Sequence, residues 1–256
     1  MSQVPNVLVV QHGENGGPGR FGEWLAEAGV AVQVVTAFDG SAVPGRLAHD
    51  GLIVLGGGYM PDDDEKAPWL PATRSLVEQA LRGSVPMFGV CLGGQMLAAV
   101  AGGKVQADAG APEHGSTAVT IRPEAADDPL FHGLPDVVPA IEHHVDAITG
   151  LPPGAVWLAE TARCPYQAFR VGPRAWGVQF HPEVTPRRIR QWNGEELRDQ
   201  GFDREELYAA AVADEPASAA AWHAVARRFA SIVRDRHRGT ARPRASAVAP
   251  RGEDHG

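Results

Sequence analysis

At 256 residues, with 44% hydrophobic and 21% charged residues, the chain is long enough to bury one large core and is expected to form a single soluble domain. A formal net charge of −8 excludes non-specific nucleic-acid binding by the body of the protein and points to small molecules or proteins as partners. Two cysteines 73 positions apart exclude a disulfide framework and a zinc spacing and suit a reducing cytoplasm; no basic leader precedes the first apolar run, and no run approaches a membrane span.

In chain order, Val7 to Val10 predicts a first buried strand. The loop Gln11 to Gly19 is glycine-rich but lacks the G-x-G-x-x-G spacing of a dinucleotide site, and it reads as a flexible connection. Phe21 to Ala28 has helical periodicity and stops at Gly29, before a second strand at Val30 to Val35. Strand, helix and strand in that order predict a right-handed parallel unit. Gly51 to Leu55 is the next buried strand and runs into Gly56-Gly57-Gly58. Bare backbone there lies where open α/β sheets bind ligands, although three glycines also suit an ordinary tight turn. The acidic run Asp62 to Glu65 lacks EF-hand spacing and reads as a solvated loop before a helix at Pro71 to Leu81.

Val85 to Val90 is an apolar run too short for a core helix, and it ends at Cys91 with Gly89 two places before and Gly93 two places after. This is the pattern of a nucleophile elbow, a sharp strand-to-helix turn whose flanking positions have no room for side chains. Leu92 to Ala101 continues as a helix, so Cys91 stands at its N-terminus, where the dipole and free N–H groups favour thiolate. A lone cysteine is more often a small buried hydrophobe, but that reading leaves the flanking glycines without a role. An N–H from the glycine loop can meet the N–H of Leu92 to hold an oxyanion.

Gly102-Gly103 turns into a strand at Lys104-Val105, and Val119 to Ile148 alternates apolar runs with turn residues, predicting shorter, partly antiparallel strands. His143-His144-x-Asp146 has no third nitrogen or sulfur ligand spaced with it and reads as a strand end rather than a metal site. Cys164, without flanking glycines, reads as structural. Trp176 to His181 predicts a strand, and Pro182 holds His181 in extended geometry. Residues two apart then project to one side, so Glu183 can hold one imidazole nitrogen while the other faces a nucleophile. Cysteine, histidine and carboxylate have the roles of a triad. Thr185-Pro186 opens a helix that stops by Gly201, and Asp203-x-x-Glu206 starts another with a capping-box pattern. In the last helix Trp222, Val225, Ala226, Phe229, Ile232 and Val233 form an apolar stripe that packs on the domain or docks onto a partner protein. Residues 1–238 are expected to form one domain, with 239–256 a disordered tail.

Gly89-Val90-Cys91-Leu92-Gly93-Gly94-Gln95 and Gly177-Val178-Gln179-Phe180-His181-Pro182-Glu183, with the glycine loop ahead of both, resemble the nucleophile and His/Glu motifs of the class I (triad-type) glutamine amidotransferases. The resemblance covers about Val7 to Val184 and is closest to free-standing members similar to the glutaminase half of GMP synthase; the strand-end His-x-Asp of such proteins stands here as His144-Val145-Asp146. It implies a three-layer, flavodoxin-like α/β fold with a mostly parallel central sheet and flanking helices, and neither cofactor nor metal. By the same resemblance Cys91 attacks the side-chain amide of glutamine, His181 carries the proton to departing ammonia and Glu183 holds the imidazole. Gly57 and Leu92 match the oxyanion donors, Gln95 matches a residue that holds substrate, and Glu113, Gly115 and Ser116 fall where the family reads the substrate's amino and carboxylate ends. The family usually has proline at the place of Gly58, and free-standing members an aromatic at that of Ser116. The implied reaction forms a γ-glutamyl thioester and supplies ammonia to a separate amination enzyme. A γ-glutamyl hydrolase or peptidase, and a non-catalytic binding module on the same fold, are the alternatives.

Overall fold

A computed structural model describes residues 4–241. The N-terminal half contains β1 (Asn6–Gln11), α1 (Gly19–Glu27), β2 (Ala31–Thr36), β3 (Gly51–Val54), α2 (Leu70–Arg82), β4 (Met87–Val90) and α3 (Leu92–Val100). Then come β5 (Lys104–Gln106), β6 (Glu113–Ile121), β7 (Val137–His144), β8 (Ala147–Gly150), β9 (Val156–Glu160), β10 (Ala168–Val171), β11 (Ala175–Val178), α4 (Gly194–Asp199) and α5 (Arg204–Ala241).

The main sheet has the order β2-β1-β3-β4-β11-β10-β9-β6-β7. Its first five strands are mutually parallel, in the order of a doubly wound flavodoxin-like sheet, and the other four extend it with antiparallel pairs. The period of two along each central strand splits the core into two layers. Val7 and Val9 of β1, Ile53 of β3 and Phe88 of β4 pack with Phe21 and Leu25 of α1 and with Trp222, Val225 and Phe229 of α5. Leu8 and Val10, Leu52 and Val54, and Met87 face the other way, onto Leu76 and Val77 of α2 and Met96 and Leu97 of α3. The expected three-layer architecture is the observed one, and the α5 stripe packs on the sheet. Burying Trp222 and Phe229 completely contributes about 1.5–3 kcal/mol each before the entropy of ordering them is subtracted.

Four local expectations change. The strand expected to reach His181 ends at Val178, because beyond it the backbone leaves β4: Gln179 N–H bonds to the Gln167 carbonyl at 2.9 Å and His181 N–H to the Ile141 carbonyl at 2.8 Å. The single helix expected from Thr185 is a 3-10 turn at Pro186–Gln191, interrupted by extended backbone at Trp192, and then α4. Asn193 caps α4, its Oδ1 accepting from the N–H of Glu195 and of Glu196. The two helices expected after Asp203 are one, α5, which continues through Pro216. Arg20 grips it on either side of that proline, through Glu215 at 2.8 Å and Ser218 at 3.2 Å. Lastly, α5 runs to Ala241, so Gly239, Thr240 and Ala241 belong to it, while the rest of the expected tail lies outside the described residues.

Candidate active site

Cys91 sits between β4 and α3 with φ +51° and ψ −110°, as the N-cap residue of the helix. Few non-glycine residues adopt positive φ, and the surrounding backbone holds it there. Cys91 N–H donates to the Val178 carbonyl at 2.8 Å, and its own carbonyl accepts from Gln95 N–H at 2.9 Å. A Cβ on Gly93 would lie 2.0 Å from the Val54 carbonyl oxygen, and one on Gly89 2.4 Å from that of Gly93. The glycines let α3 start directly against β3 and β4.

His181 arrives just beyond β11, the strand paired with β4 at the same sheet end. Its Nδ1–H donates to Glu183 Oε1 at 2.8 Å, which leaves Nε2 for the cleft. A methyl group on Gly56 would lie 2.8 Å from His181 Cε1 and 3.4 Å from Cys91 Cβ, so the two side chains converge over that glycine. Burial alone would push the imidazole pKa down. The Glu183 carboxylate beside it, with hydrogen bonds to the Cys91 thiol and to Glu183, outweighs burial and holds it well above the usual histidine value.

The His-Pro-Glu segment is clamped from below. Gly19, at φ +45°, lets the start of α1 come so close that a Cβ there would be 2.2 Å from the Glu183 carbonyl oxygen. Arg20 N–H donates to that oxygen at 3.0 Å, and Arg20 Nε–H donates to the Pro182 carbonyl at 2.9 Å. Arg20 therefore ties the histidine and its carboxylate to α1 and α5. Replacing it with leucine should lower kcat about 100-fold with little change in KM, the usual result of a displacement near 1 Å; steady-state kinetics on the folded variant measure this.

Other residues around the sulfur come from distant segments. Gln179 Nε2–H points at Cys91 Sγ from 3.6 Å, its Oε1 accepts from Gln95 Nε2 at 3.2 Å, and Gln95 also donates to the Asp146 carbonyl at 3.1 Å. Gly57 is wedged between His12 and Leu92; a Cβ there would meet His12 Cβ at 2.8 Å and Leu92 Cδ2 at 3.0 Å. Burial pushes the His12 pKa down to about 4, and its Nδ1 accepts the Trp69 indole N–H at 2.9 Å. Neutral His12 thus serves as a packing base for the glycine loop.

Cys91, His181, Glu183, Gly57 and Gln95 line one cleft of about 530 Å³ at the carboxyl ends of the parallel strands. Leu92 is buried directly behind Cys91. The loop expected as a flexible connection is another wall: Gly13 to Gly16 face the cleft, and Gln11 Nε2–H pins the loop through the carbonyls of Gly13 (2.7 Å) and Glu14 (3.2 Å). Glu113, Gly115 and Ser116 lie elsewhere. Glu113 points into the interior and accepts from Thr161 and Gln167, Gly115 backs onto Leu207, and the Ser116 hydroxyl donates to Asp214 on α5 at 2.7 Å. Their neighbour His114 lines the cleft instead, with Arg188 and with His143, which stacks on Trp192 at 4.1 Å between ring centroids. Arg188 offers the cleft a guanidinium for a substrate carboxylate. A separate surface groove of about 660 Å³ between α1 and α5 lies away from these groups.

Comparison with known proteins identifies the family. Residues 22–193 match the family described as glutamine amidotransferase class-I. A GMP synthase [glutamine-hydrolyzing] subunit from Thermoplasma acidophilum is 33% identical over 175 residues, covering 67% of this chain and 82% of its own length. GMP synthase [glutamine-hydrolyzing] of Porphyromonas gingivalis is 44% identical over 105 residues, which are 41% of this chain and 20% of that protein, so the match spans about a fifth of the relative. Among solved structures, a glutamine amidotransferase from Thermotoga maritima superposes with a TM-score of 0.79 at 25% identity over 89% of this chain and 99% of its own, and one from Methylobacillus flagellatus with 0.77 at 27% over 91% and 96%.

Proposed function

The chain belongs to the class I glutamine amidotransferase family, and from that premise we propose that Cys91, His181 and Glu183 hydrolyse the side-chain amide of glutamine to glutamate and ammonia. Convergence of the elbow cysteine and the His181–Glu183 pair in one cleft carries this reading. Nε2 of His181 takes the Cys91 thiol proton as sulfur attacks the amide carbon. The tetrahedral oxyanion accepts N–H bonds from Gly57 and Leu92. The C–N bond breaks as His181 returns the proton to nitrogen, ammonia leaves, and a γ-glutamyl thioester remains. Water then attacks the thioester, His181 takes its proton and passes it to the departing sulfur, and glutamate leaves.

Glu183 acts through the histidine. Its carboxylate raises the His181 pKa, so Glu183→Gln should lower it. The imidazolium that donates to the leaving nitrogen is then lost at lower pH, and the alkaline limb of the kcat profile should move acidward while kcat falls. A pH–rate profile of the two proteins reads both effects.

Ammonia is passed to an amination enzyme on a separate chain; the relatives named as subunits of GMP synthase support that arrangement. A second reading, hydrolysis of larger γ-glutamyl amides or peptides, is favoured by the size of the cleft, which continues past the triad to His114, His143 and Trp192. Turnover of glutamine against a γ-glutamyl dipeptide separates the two. Glutamine is expected to have the higher kcat/KM, and a large excess for the dipeptide would replace the first reading by the second.

A further inference from the structure

Behind the cleft wall, four buried side chains with metal-ligating atoms, Glu113, Glu142, His144 and Cys164, lie together. Glu113, His144 and Cys164 present a carboxylate oxygen, an imidazole nitrogen and a sulfur within 4.8 Å of one another. His144 Nε2 is 3.2 Å from Glu113 Oε2 and 3.3 Å from Glu142 Oε2. Glu142 is fully buried, and neither of its carboxylate oxygens has a hydrogen-bond partner among the described residues. Register explains the meeting. Glu113 of β6 pairs with His144 of β7, and Glu142, two residues back on β7, projects to the same side.

Outer hydrogen bonds orient the set. His144 Nδ1 faces the Asp146 carbonyl at 3.1 Å, a contact only N–H can make, so Nε2 is the nitrogen turned toward the carboxylates. Glu113 is braced on both oxygens, by Thr161 Oγ1–H at 2.8 Å and Gln167 Nε2–H at 2.8 Å. Metal-binding histidines and carboxylates are oriented in this way by outer hydrogen bonds. The spacing fits as well. Around a tetrahedral zinc ion with bonds of about 2.0–2.2 Å to nitrogen and oxygen, neighbouring ligand atoms lie about 3.3–3.5 Å apart, close to the 3.2 and 3.3 Å found here.

We propose that Glu113, Glu142, His144 and Cys164 bind one divalent transition-metal ion of the zinc class. Mixed sulfur, nitrogen and oxygen donors from Glu113, His144 and Cys164, with the Glu142 carboxylate beside His144, suit zinc in a structural role. On binding, the ion displaces to solvent any proton on His144 Nε2 and the proton on the Cys164 thiol. The ion fixes His144 and with it the Asp146 carbonyl, which also holds Gln95 beneath Cys91. The assignment is independent of the glutamine reading.

Full-length protein carrying Cys91→Ser, with Cys164 as its only thiol, is stripped with chelator, dialysed and titrated with cobalt(II). The expected result is one equivalent bound, with the visible bands of tetrahedral cobalt and a near-ultraviolet sulfur-to-cobalt charge-transfer band. That band disappears when Cys164→Ser is added, Glu142→Gln weakens binding at least tenfold, and zinc(II) displaces the cobalt and raises the Tm of the unaltered protein. Absence of the band in folded Cys91→Ser protein, its survival in the double variant, or an unchanged Tm with zinc would overturn the proposal. If Glu142→Gln does not fold, the cobalt spectra of the two cysteine variants decide.

Discussion

Cys91→Ser should leave a folded protein whose glutamine hydrolysis is at least about 10⁴-fold slower, the scale of losing a nucleophile from a triad. The geometry allows no substitute for the sulfur. A serine hydroxyl gains far less than a thiol from the helix N-terminus and from His181, because its proton is held much more tightly. The other cysteine, Cys164, is buried away from the cleft, and burial pushes its thiol pKa up, so it is no reserve nucleophile. Ammonia release measured beside circular dichroism distinguishes lost chemistry from lost fold. Activity within tenfold of the parent would mean that another group attacks the amide.

The second large effect is on stability. Gly93→Ala places a methyl carbon 2.0 Å from the Val54 carbonyl oxygen, a backbone atom of a central strand that has no side-chain freedom with which to yield. Either α3 moves off the sheet or β3 shifts, and both disturb Phe88, Met96 and their neighbours. The expected cost is about 4 kcal/mol or more, the range reserved for such failures, seen as insoluble protein or a midpoint far lower in denaturant. Gly58→Ala is the matched control: a Cβ there meets nothing within 4 Å and the backbone has no positive φ, so its stability should stay within about 0.5 kcal/mol of the parent. Equal behaviour of the two variants would show that the glycines flanking the cysteine are not required by packing.

Most of the fold was legible in the sequence because its signals are local. The runs Val7 to Val10 and Gly51 to Leu55, and the glycines around Cys91, specify strands and a turn by their own spacing, and the parallel half of the sheet follows from alternating strands and helices. The breaks that were missed depend on partners far along the chain. Pro216 stays inside α5 where Arg20, nearly two hundred positions earlier, grips Glu215 and Ser218. The same holds at the site. Cys91, His181 and Glu183 can be named because adjacent glycines and a proline single them out. Arg20, Gln179 and Arg188 have no spacing that sets a chemical role, and only tertiary contact brings them to the cleft or to the segment bearing His181. Glu113 and Ser116 illustrate the converse: alternation along β6 turns one into the interior and the other toward α5, while His114 between them faces the cleft.

The most direct test of the central claim is covalent labelling with an electrophilic analogue of glutamine, read by intact mass and peptide mapping. One label per chain on Cys91, blocked by excess glutamine and greatly slowed in His181→Ala, is the expected result. Labelling of Cys164 instead, or equal rates with and without the His181 imidazole in folded protein, would contradict it.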